Sequence, residues 1–203
     1  MGKRITQFIV DQEPYRIEKE HINSLPMQGY EGEIVLVDED AKVPSAVEAL
    51  KKDPILGFDT ETRPAFKKGQ SYPVALLQLA TAEKVYLFQL LKINHIEPIW
   101  EILANPDYLK VGIAIQDDII KLKDRIHFQQ KGFIEIADLT RKIGILNTGL
   151  RTLVAHFLGF RISKKAQVSN WAKDELSESQ LKYAATDAWV SRKLYLKINK
   201  KDC

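Results

Sequence analysis

Apolar runs separated by polar segments from residue 34 onwards predict a domain built from both strands and helices. Short apolar runs bounded by turn residues are typical of strands. We expect strands over residues 34–37, 55–58, 74–80, 84–90, 109–115 and 133–137. The turn between the third and fourth of these runs is too short for a crossover helix, so we expect these two strands to pair antiparallel.

Helices are predicted where apolar positions recur every three to four residues. We expect them over residues 45–52, 96–104, 117–125 and 150–158, and in a long segment that begins near residue 177. Capping boxes at Ser45 and Ser177 predict two of the starts, and Gly159 predicts the end of the fourth helix. Antiparallel strands followed by alternating helices and strands predict an α/β fold, a mixed sheet with helices on its faces.

The composition is that of an ordinary globular protein with one domain. The 203 residues are 45% apolar and 28% charged, with 10 Gly and 8 Pro, which excludes collagen, a coiled coil and a mostly disordered chain. Residues 1–33 show no clear period. We therefore expect an N-terminal extension that packs on the domain with little regular structure, followed by the domain itself over residues 34–203.

Hydropathy, cysteine content and charge limit the compartments and partners that we expect for the protein. No apolar run approaches the roughly 20 residues of a membrane span, and the first residues lack the apolar core of a secretory signal. We therefore expect a soluble, cytoplasmic protein with no membrane partner. The one cysteine, Cys203, excludes an intramolecular disulfide and a cysteine metal cluster. A net charge of +3 permits a nucleic-acid partner without requiring one.

Two carboxylates follow the apolar run 55–58 directly. Asp59 and Glu61 stand two residues apart in an expected strand, so their side chains lie on one face, about 6.6 Å apart. At an effective dielectric constant of about 20 their repulsion is roughly 2.5 kcal/mol, which a divalent cation would relieve. Other acid-x-acid pairs in the chain stand in polar surroundings. A solvated pair without function is the alternative for Asp59 and Glu61.

Acidic residues occur at two further positions of interest. Asp117 and Asp118 follow an apolar run and open a helix, although acids also suit the positive end of a helix dipole without any function. Tyr183 and Asp187 are four residues apart and share a helix face, either in a site or as a satisfied pair in the core. Together the acids offer the hard oxygen ligands that a pair of Mg²⁺ ions needs.

These motifs resemble those of the DEDD-type 3′-5′ exonucleases. The matching segments are residues 58–61, 112–122 and 183–187. The resemblance extends over residues 34–197 and is closest to the Werner-type exonuclease domain and to ribonuclease D. Lys182 stands where the histidine branch of the family carries its histidine, which indicates the tyrosine branch, DEDDy. Asp118 matches the family's acid better than Asp117, because it begins the pattern Asp-x-x-Lys-Leu.

The resemblance implies an RNase H-like fold with a central five-stranded mixed sheet flanked by helices, and a site for two divalent cations, Mg²⁺ or Mn²⁺. One cation would be held by Asp59, Glu61 and Asp187. The other would be held by Asp59, with Asp118 acting through water, and Tyr183 would orient the attacking water. These five residues are the expected catalytic residues, and the four acids are the expected metal ligands.

The implied activity is hydrolysis of terminal phosphodiesters of DNA from the 3′ end, which releases nucleoside 5′-monophosphates, as in DNA repair. The expected partner is a nucleic acid with a free 3′ end. One alternative is a ribonuclease D-like enzyme that shortens RNA, since the sequence identifies no contact to a 2′-hydroxyl. Another alternative is a nucleic-acid-binding module that has lost catalysis, although all four acids and the tyrosine are kept.

Substrate contacts are expected from hydroxyl and basic side chains after the first motif and before Trp171. The candidates are Thr60, Thr62, Arg63, Lys67, Lys68, Lys164 and Lys165. A solvated lysine-rich surface is the alternative. Phe66 and Tyr72 are candidates for stacking on bases. Thr62 and Ile120 stand where Werner-type members commonly carry aromatic residues. The sequence therefore does not identify the residues that hold the terminal nucleotide. Processivity would depend on the groove or on a protein partner.

Overall fold

A mixed β-sheet forms the centre of the protein. The computed structural model describes residues 14–67, 69–125 and 128–199, so residues 1–13 of the expected extension and Cys203 lie outside the described residues. The strands are Glu33–Val37 (β1), Ile55–Thr62 (β2), Val74–Ala80 (β3), Lys84–Gln89 (β4), Leu109–Gly112 (β5) and Phe133–Glu135 (β6). Within the described ranges they pair in the order β1-β4-β3-β2-β5-β6.

The sheet combines antiparallel and parallel pairs. β3 pairs antiparallel with β2 and with β4, and the second of these pairs was predicted. β1 runs parallel to β4, β2 to β5, and β5 to β6. The predicted α/β class with a mixed sheet is therefore confirmed. In the described part of the chain the sheet has six strands and not the five that the family resemblance implied, because the short β6 extends the edge beyond β5.

Helices cover both faces of this sheet. They are Lys19–Ser24 (α1), Val43–Leu50 (α2), Glu97–Ala104 (α3), Ile115–Lys123 (α4), Ile136–Lys142 (α5), Leu150–Leu158 (α6) and Glu178–Asn199 (α7). α6 ends at Gly159 as predicted, with a φ of +76°. The predicted capping box before α7 forms, since the Ser177 N–H donates to Gln180 Oε1 (3.1 Å) and the Gln180 N–H to Ser177 Oγ (3.3 Å). Of the helices described, none is both long and apolar enough to cross a membrane.

Several predicted boundaries were wrong. α2 begins at Val43 rather than Ser45, and the Ser45 hydroxyl donates to a backbone carbonyl in the preceding turn (3.0 Å), so the predicted capping box does not form. Pro44 occupies the first turn, where its fixed φ suits a helix. α4 begins at Ile115 rather than at residue 117, because Ala114 (φ +60°) turns the chain after β5. α1 lies in a segment that was expected to have little regular structure.

The contact between α7 and β2 positions the candidate site. Ala184, Ala185 and Ala188 of α7 are fully buried. A Cβ atom at Gly57 of β2 would lie 2.0 Å from the carbonyl oxygen of Ala188, so the close approach of the helix requires glycine. Arg192, one turn further along α7, donates to a backbone carbonyl of β2 (2.8 Å). The opposite face of the sheet is covered by α2, α3 and α4.

Candidate active site

Three carboxylates from two elements meet where α7 lies on β2. Asp59 and Glu61 alternate with buried residues of β2 and share the side of Gly57, which faces α7. Asp187 lies on α7 and is buried. One oxygen atom from each carboxylate belongs to a group whose members all lie within 4.8 Å of one another. The fold thus brings the first and third sequence motifs together in what we call the acid cluster, Asp59, Glu61 and Asp187.

Asp118 lies beside the acid cluster and is held by a threonine. Its Oδ1 accepts a hydrogen bond from Thr60 Oγ1 (2.6 Å). Its charge contributes to raising the pKa of Asp59, so the two side chains are close enough to interact. Burial raises the pKa of Asp118 itself to about 6, although the bond from Thr60 opposes the shift. Asp117 is exposed. The geometry therefore associates Asp118, and not Asp117, with the site.

Burial raises the pKa of every acid in the cluster, and like charge adds to the shift for Asp59 and Glu61. The pKa of Asp59 lies well above its usual range because the side chain is desolvated and faces Asp187 and Asp118. Desolvation and repulsion from neighbouring acids raise the pKa of Glu61 to about 10. Burial raises the pKa of Asp187 to about 7, and a hydrogen bond from Tyr183 opposes this shift. Without a cation, the cluster therefore retains protons at neutral pH.

Tyr183 lies one helical turn before Asp187 on α7, on the same side of the helix. Its ring contacts Trp171, with the ring centroids 6.0 Å apart. Burial, and then the negative charge of Asp187 and Glu61, raise the pKa of the Tyr183 hydroxyl. The phenol therefore keeps its proton throughout the physiological pH range and can donate a hydrogen bond at the acid cluster.

The acid cluster fits a hard divalent cation. Its donors are all carboxylate oxygens, the ligands that Mg²⁺ and Mn²⁺ prefer. Asp187 Oδ1 is buried and has no hydrogen-bond partner among the described residues. Burying an acceptor without a partner destabilises the folded protein, and a bound cation would remove this penalty. Elsewhere in the described ranges, no second group of three such side chains is found.

A cavity of about 310 Å³ is lined by the acid cluster and by residues that sequence reasoning missed. The missed residues are Ile113, Ala114, Gly149, Leu150, Gln167 and Ser191. Ala114 has a φ of 60° and is the one non-glycine residue in the described chain with a positive φ. Such a conformation costs about 1 kcal/mol or more. Only two of the missed residues lie in a recognised motif. The others come together through folding and leave no spacing signal in the sequence.

In the described part of the loop after β2, Arg63, Phe66 and Lys67 are exposed. Arg63 lies over the ring of Tyr72, with its guanidinium carbon 4.9 Å from the ring centroid, so this aromatic ring is engaged within the loop. Phe66 is 82% exposed. Lys67 is exposed, and Lys68 lies outside the described residues. Of the described basic residues in this loop, none lines the cavity beside the acid cluster. Their contact with substrate stays a prediction.

The second basic segment lies closer to the acids. Lys164 lines a cavity of about 260 Å³ together with Tyr183 and Asp187. Lys165 lines a neighbouring cavity that also reaches Tyr183. Thr62 is partly buried at a register shift between β2 and β3. Lys164 is therefore the basic candidate that the geometry places nearest to the chemistry.

Sequence comparison places these residues in a known family. A model of the 3′-5′ exonuclease family matches residues 34–201. The chain belongs to this family. The mouse bifunctional 3′-5′ exonuclease/ATP-dependent helicase WRN is 33% identical over 155 residues, which cover 73% of this chain and 11% of that protein. Ribonuclease D of Haemophilus influenzae is 32% identical over 143 residues, 69% of this chain and 35% of that protein. The chain thus spans at most about a third of these relatives.

A solved structure of the same architecture supports the fold. The EXO domain of Aedes aegypti Nibbler matches with a TM-score of 0.74 at 24% identity, and the match covers 94% of this chain and 92% of that one. The predicted RNase H-like fold is confirmed by this likeness, and the predicted membership of the DEDD-type exonucleases is confirmed by the sequence matches.

Proposed function

We propose that this chain is a metal-dependent 3′-5′ exonuclease that hydrolyses terminal phosphodiesters of DNA and releases nucleoside 5′-monophosphates. The observation that supports this most is the meeting of three carboxylates beside Tyr183 in a chain of the 3′-5′ exonuclease family. A binding module without catalysis has no use for this arrangement, because crowding desolvated like charges costs stability unless a cation compensates.

Two divalent cations, Mg²⁺ or Mn²⁺, are part of the proposal. Asp59, Glu61 and Asp187 would hold one cation, and Asp59 with Asp118 would hold the other. When bound, such cations lower the pKa of a water molecule and neutralise the charge that develops on the phosphate. The hydrogen bond from Thr60 would keep the Asp118 carboxylate in one orientation.

The role we propose for Tyr183 follows from its protonation. Its raised pKa keeps the hydroxyl protonated, so the oxygen can accept a hydrogen bond from water while its proton is donated to a carboxylate or phosphate oxygen. Contact with Trp171 restricts the ring. A fixed phenol beside Asp187 would hold the attacking water in line with the terminal phosphodiester, which favours reaction through orientation.

DNA is the first candidate substrate and RNA the second. DNA follows from the resemblance of the motifs to the Werner-type exonuclease domain. RNA is favoured by one specific observation, since a relative with 32% identity is named ribonuclease D. Lys164 would contact a backbone phosphate in either polymer, because such contacts carry no information about the sugar. A protein partner that supplies processivity is also part of the proposal.

The experiment is a comparison of 5′-labelled DNA and RNA strands of one sequence, incubated with Mg²⁺ or Mn²⁺ or with a chelator. We expect a ladder of products shortened from the 3′ end, with DNA degraded faster. Asp59→Ala should abolish it, whereas Asp117→Ala, at an exposed neighbouring acid, should leave it intact. Undiminished shortening by Asp59→Ala would refute the assigned site. Binding of both strands without shortening would establish the binding module instead.

A further inference from the structure

Residues 25–31, which we call the N-terminal strap, run from the segment after α6 to the face of α7 beside the acid cluster. One end of the strap is fixed to the segment after α6. The Arg161 N–H donates to the carbonyl of Pro26 and the Gln28 N–H to that of Arg161, both at 2.9 Å. Arg161 Nε also donates to the carbonyl of Leu25 (2.9 Å). The strap lies outside residues 34–201, the range matched by the family model.

The other end of the strap bonds to the turn of α7 that carries the site. The backbone N–H of Tyr30 donates to Thr186 Oγ1 (2.9 Å), and this hydroxyl donates in turn to the carbonyl of Lys182 (2.6 Å). Thr186 is buried and directly precedes Asp187, while Lys182 directly precedes Tyr183. The Thr186 hydroxyl therefore connects the strap to the turn of α7 that holds both candidate catalytic residues, Tyr183 and Asp187.

Further contacts keep the strap in place over α7. The Tyr30 ring packs against Trp189 with centroids 5.7 Å apart, and its hydroxyl lies 3.2 Å from the carbonyl oxygens of Glu33 and Glu83. The ion pair between Lys182 and Glu31 is exposed (2.5 Å), so it adds little stability. The buried bond from Tyr30 to Thr186 and the ring contact with Trp189 therefore connect the strap to the helix.

The strap approaches α7 closely because Gly29 has no side chain. A Cβ atom there would lie 3.3 Å from Thr186 Oγ1 and 3.2 Å from the Cε atom of Lys182. On the opposite side of α7, buried alanines face β2 and allow the helix to lie close to the sheet. The first half of α7 is thus held between β2 and the strap.

We infer that Tyr30 and Thr186 are positioning residues for the exonuclease reaction, which fix the α7 turn that presents Tyr183 and Asp187 to Asp59 and Glu61. The inference rests on the proposed function. A displacement of about 1 Å of a catalytic group can cost about 100-fold in rate. Loosening the strap therefore lowers turnover much more than it weakens substrate binding, since Lys164, the expected phosphate contact, lies outside α7.

The first test removes the hydroxyl and then restores it. We expect Thr186→Val to lower kcat on a labelled strand about 10-fold with KM changed less than twofold, and Thr186→Ser to recover kcat to within about threefold of wild type. Thr140→Val is the matched control, because Thr140 is also a buried helical threonine that donates to a backbone carbonyl, but on α5. A kcat of Thr186→Val equal to that of Thr140→Val, or no recovery with serine, would overturn the inference.

A second variant changes the strap and leaves α7 intact. Gly29→Val places methyl groups against Thr186 and pushes the strap outwards. We expect the same pattern as for Thr186→Val, a fall in kcat at constant KM, with thermal unfolding confirming that each variant is folded. A change in KM alone would assign the strap to substrate binding and overturn the positioning role.

Binding of Mn²⁺ without substrate separates this inference from the proposed function. Calorimetry should show affinity for Mn²⁺ reduced several-fold in Thr186→Val and unchanged in Thr140→Val, because Asp187 moves with the α7 turn. If wild type binds Mn²⁺ but cuts no strand, the exonuclease function fails, and loss of affinity in Thr186→Val still supports positioning of Asp187. Equal affinity and equal kcat in Thr186→Val and wild type would contradict positioning.

Discussion

Single residues of the acid cluster carry a free-energy cost that bound positive charge removes. Desolvation is the largest cause of the raised pKa values of Asp59, Glu61 and Asp187. A folded state that binds protons more tightly than the unfolded state is most stable at low pH and loses stability as the pH rises. The cluster is therefore arranged for cation binding at the expense of the stability of the metal-free protein.

Metal-free protein should become less stable as pH rises from about 5 to about 8. The ordinary pKa values of Asp187 and Glu61 are 3.8 and 4.5, but folding raises them to about 7 and about 10, so stability falls across this window. The loss should be on the order of several kcal/mol, since one pKa unit corresponds to about 1.4 kcal/mol and both raised values span most of this window. Urea unfolding in EDTA measures it. Glu61→Gln should flatten the pH dependence, and an identical slope in this variant would contradict the explanation.

Asp118 and Asp117 form a natural pair of test and control. Asp118→Asn removes a carboxylate charge beside Asp59, and kcat should fall about 10- to 100-fold, as for groups that support a metal site. Asp117→Asn changes an exposed acid on the same turn and should stay within twofold of wild type. Steady-state kinetics on a labelled strand measures both, and equal losses would remove the distinction between the two acids.

Tyr183→Phe tests the phenol without changing the ring. Turnover should fall about 100-fold because the attacking water loses its orienting partner, while KM stays within about threefold. The packing against Trp171 is kept, so the unfolding temperature should change little. Equal turnover numbers for the two proteins would remove Tyr183 from the mechanism.

At the scale of elements, the site depends on how closely a helix can approach a strand. Gly57 on β2 and the carbonyl of Ala188 on α7 leave no room for a Cβ atom. Asp187 is the residue next to Ala188, so the same contact that packs the helix also sets the height of a carboxylate above the sheet. The distance between α7 and β2 therefore determines both the packing of the helix and the position of the Asp187 carboxylate.

Gly57→Ala should separate α7 from β2 and displace Asp187. We expect a loss of about 1 to 3 kcal/mol in unfolding free energy, the usual cost of overpacking, together with a lower kcat. Urea unfolding and Mn²⁺ titration measure the two effects. Unchanged stability and unchanged Mn²⁺ affinity would show that the helix and strand tolerate the extra methyl group.

Element boundaries show what sequence could and could not predict. The capping box at Ser177 formed, whereas the one at Ser45 did not, because Pro44 already suits the first turn of that helix. The acids of the motifs were identified because their spacing follows strand and helix periods. The bond from Thr60 to Asp118 was not identified, since it joins residues that only the fold brings together.

At the scale of the whole molecule, a net charge of +3 attracts a polyanion only weakly, so affinity for nucleic acid depends on cations near the site. Lys164 shares a cavity with Tyr183 and Asp187. Each cation near the cavity should therefore contribute measurably to substrate binding.

Lys164→Ala should raise KM several-fold and leave kcat nearly unchanged. The dependence of log affinity on log salt should become shallower by about 0.7, the value for one phosphate contact on a single strand. Lys51→Ala is the control, because Lys51 follows α2 on the opposite face of the sheet and pairs with Glu48. Filter binding at several salt concentrations measures both variants, and parallel salt slopes would exclude a phosphate contact by Lys164.

The segment before β1 also has a practical consequence for recombinant expression. Ile17 and Ile22 are 8% and 7% exposed and belong to the same apolar cluster as α6 and the end of α7. The N–H of Tyr15 bonds to the carbonyl of Gly144 (2.9 Å). A fragment trimmed to the family boundary at residue 34 would expose this apolar surface and become prone to self-association. Biochemical assays therefore need the longer polypeptide.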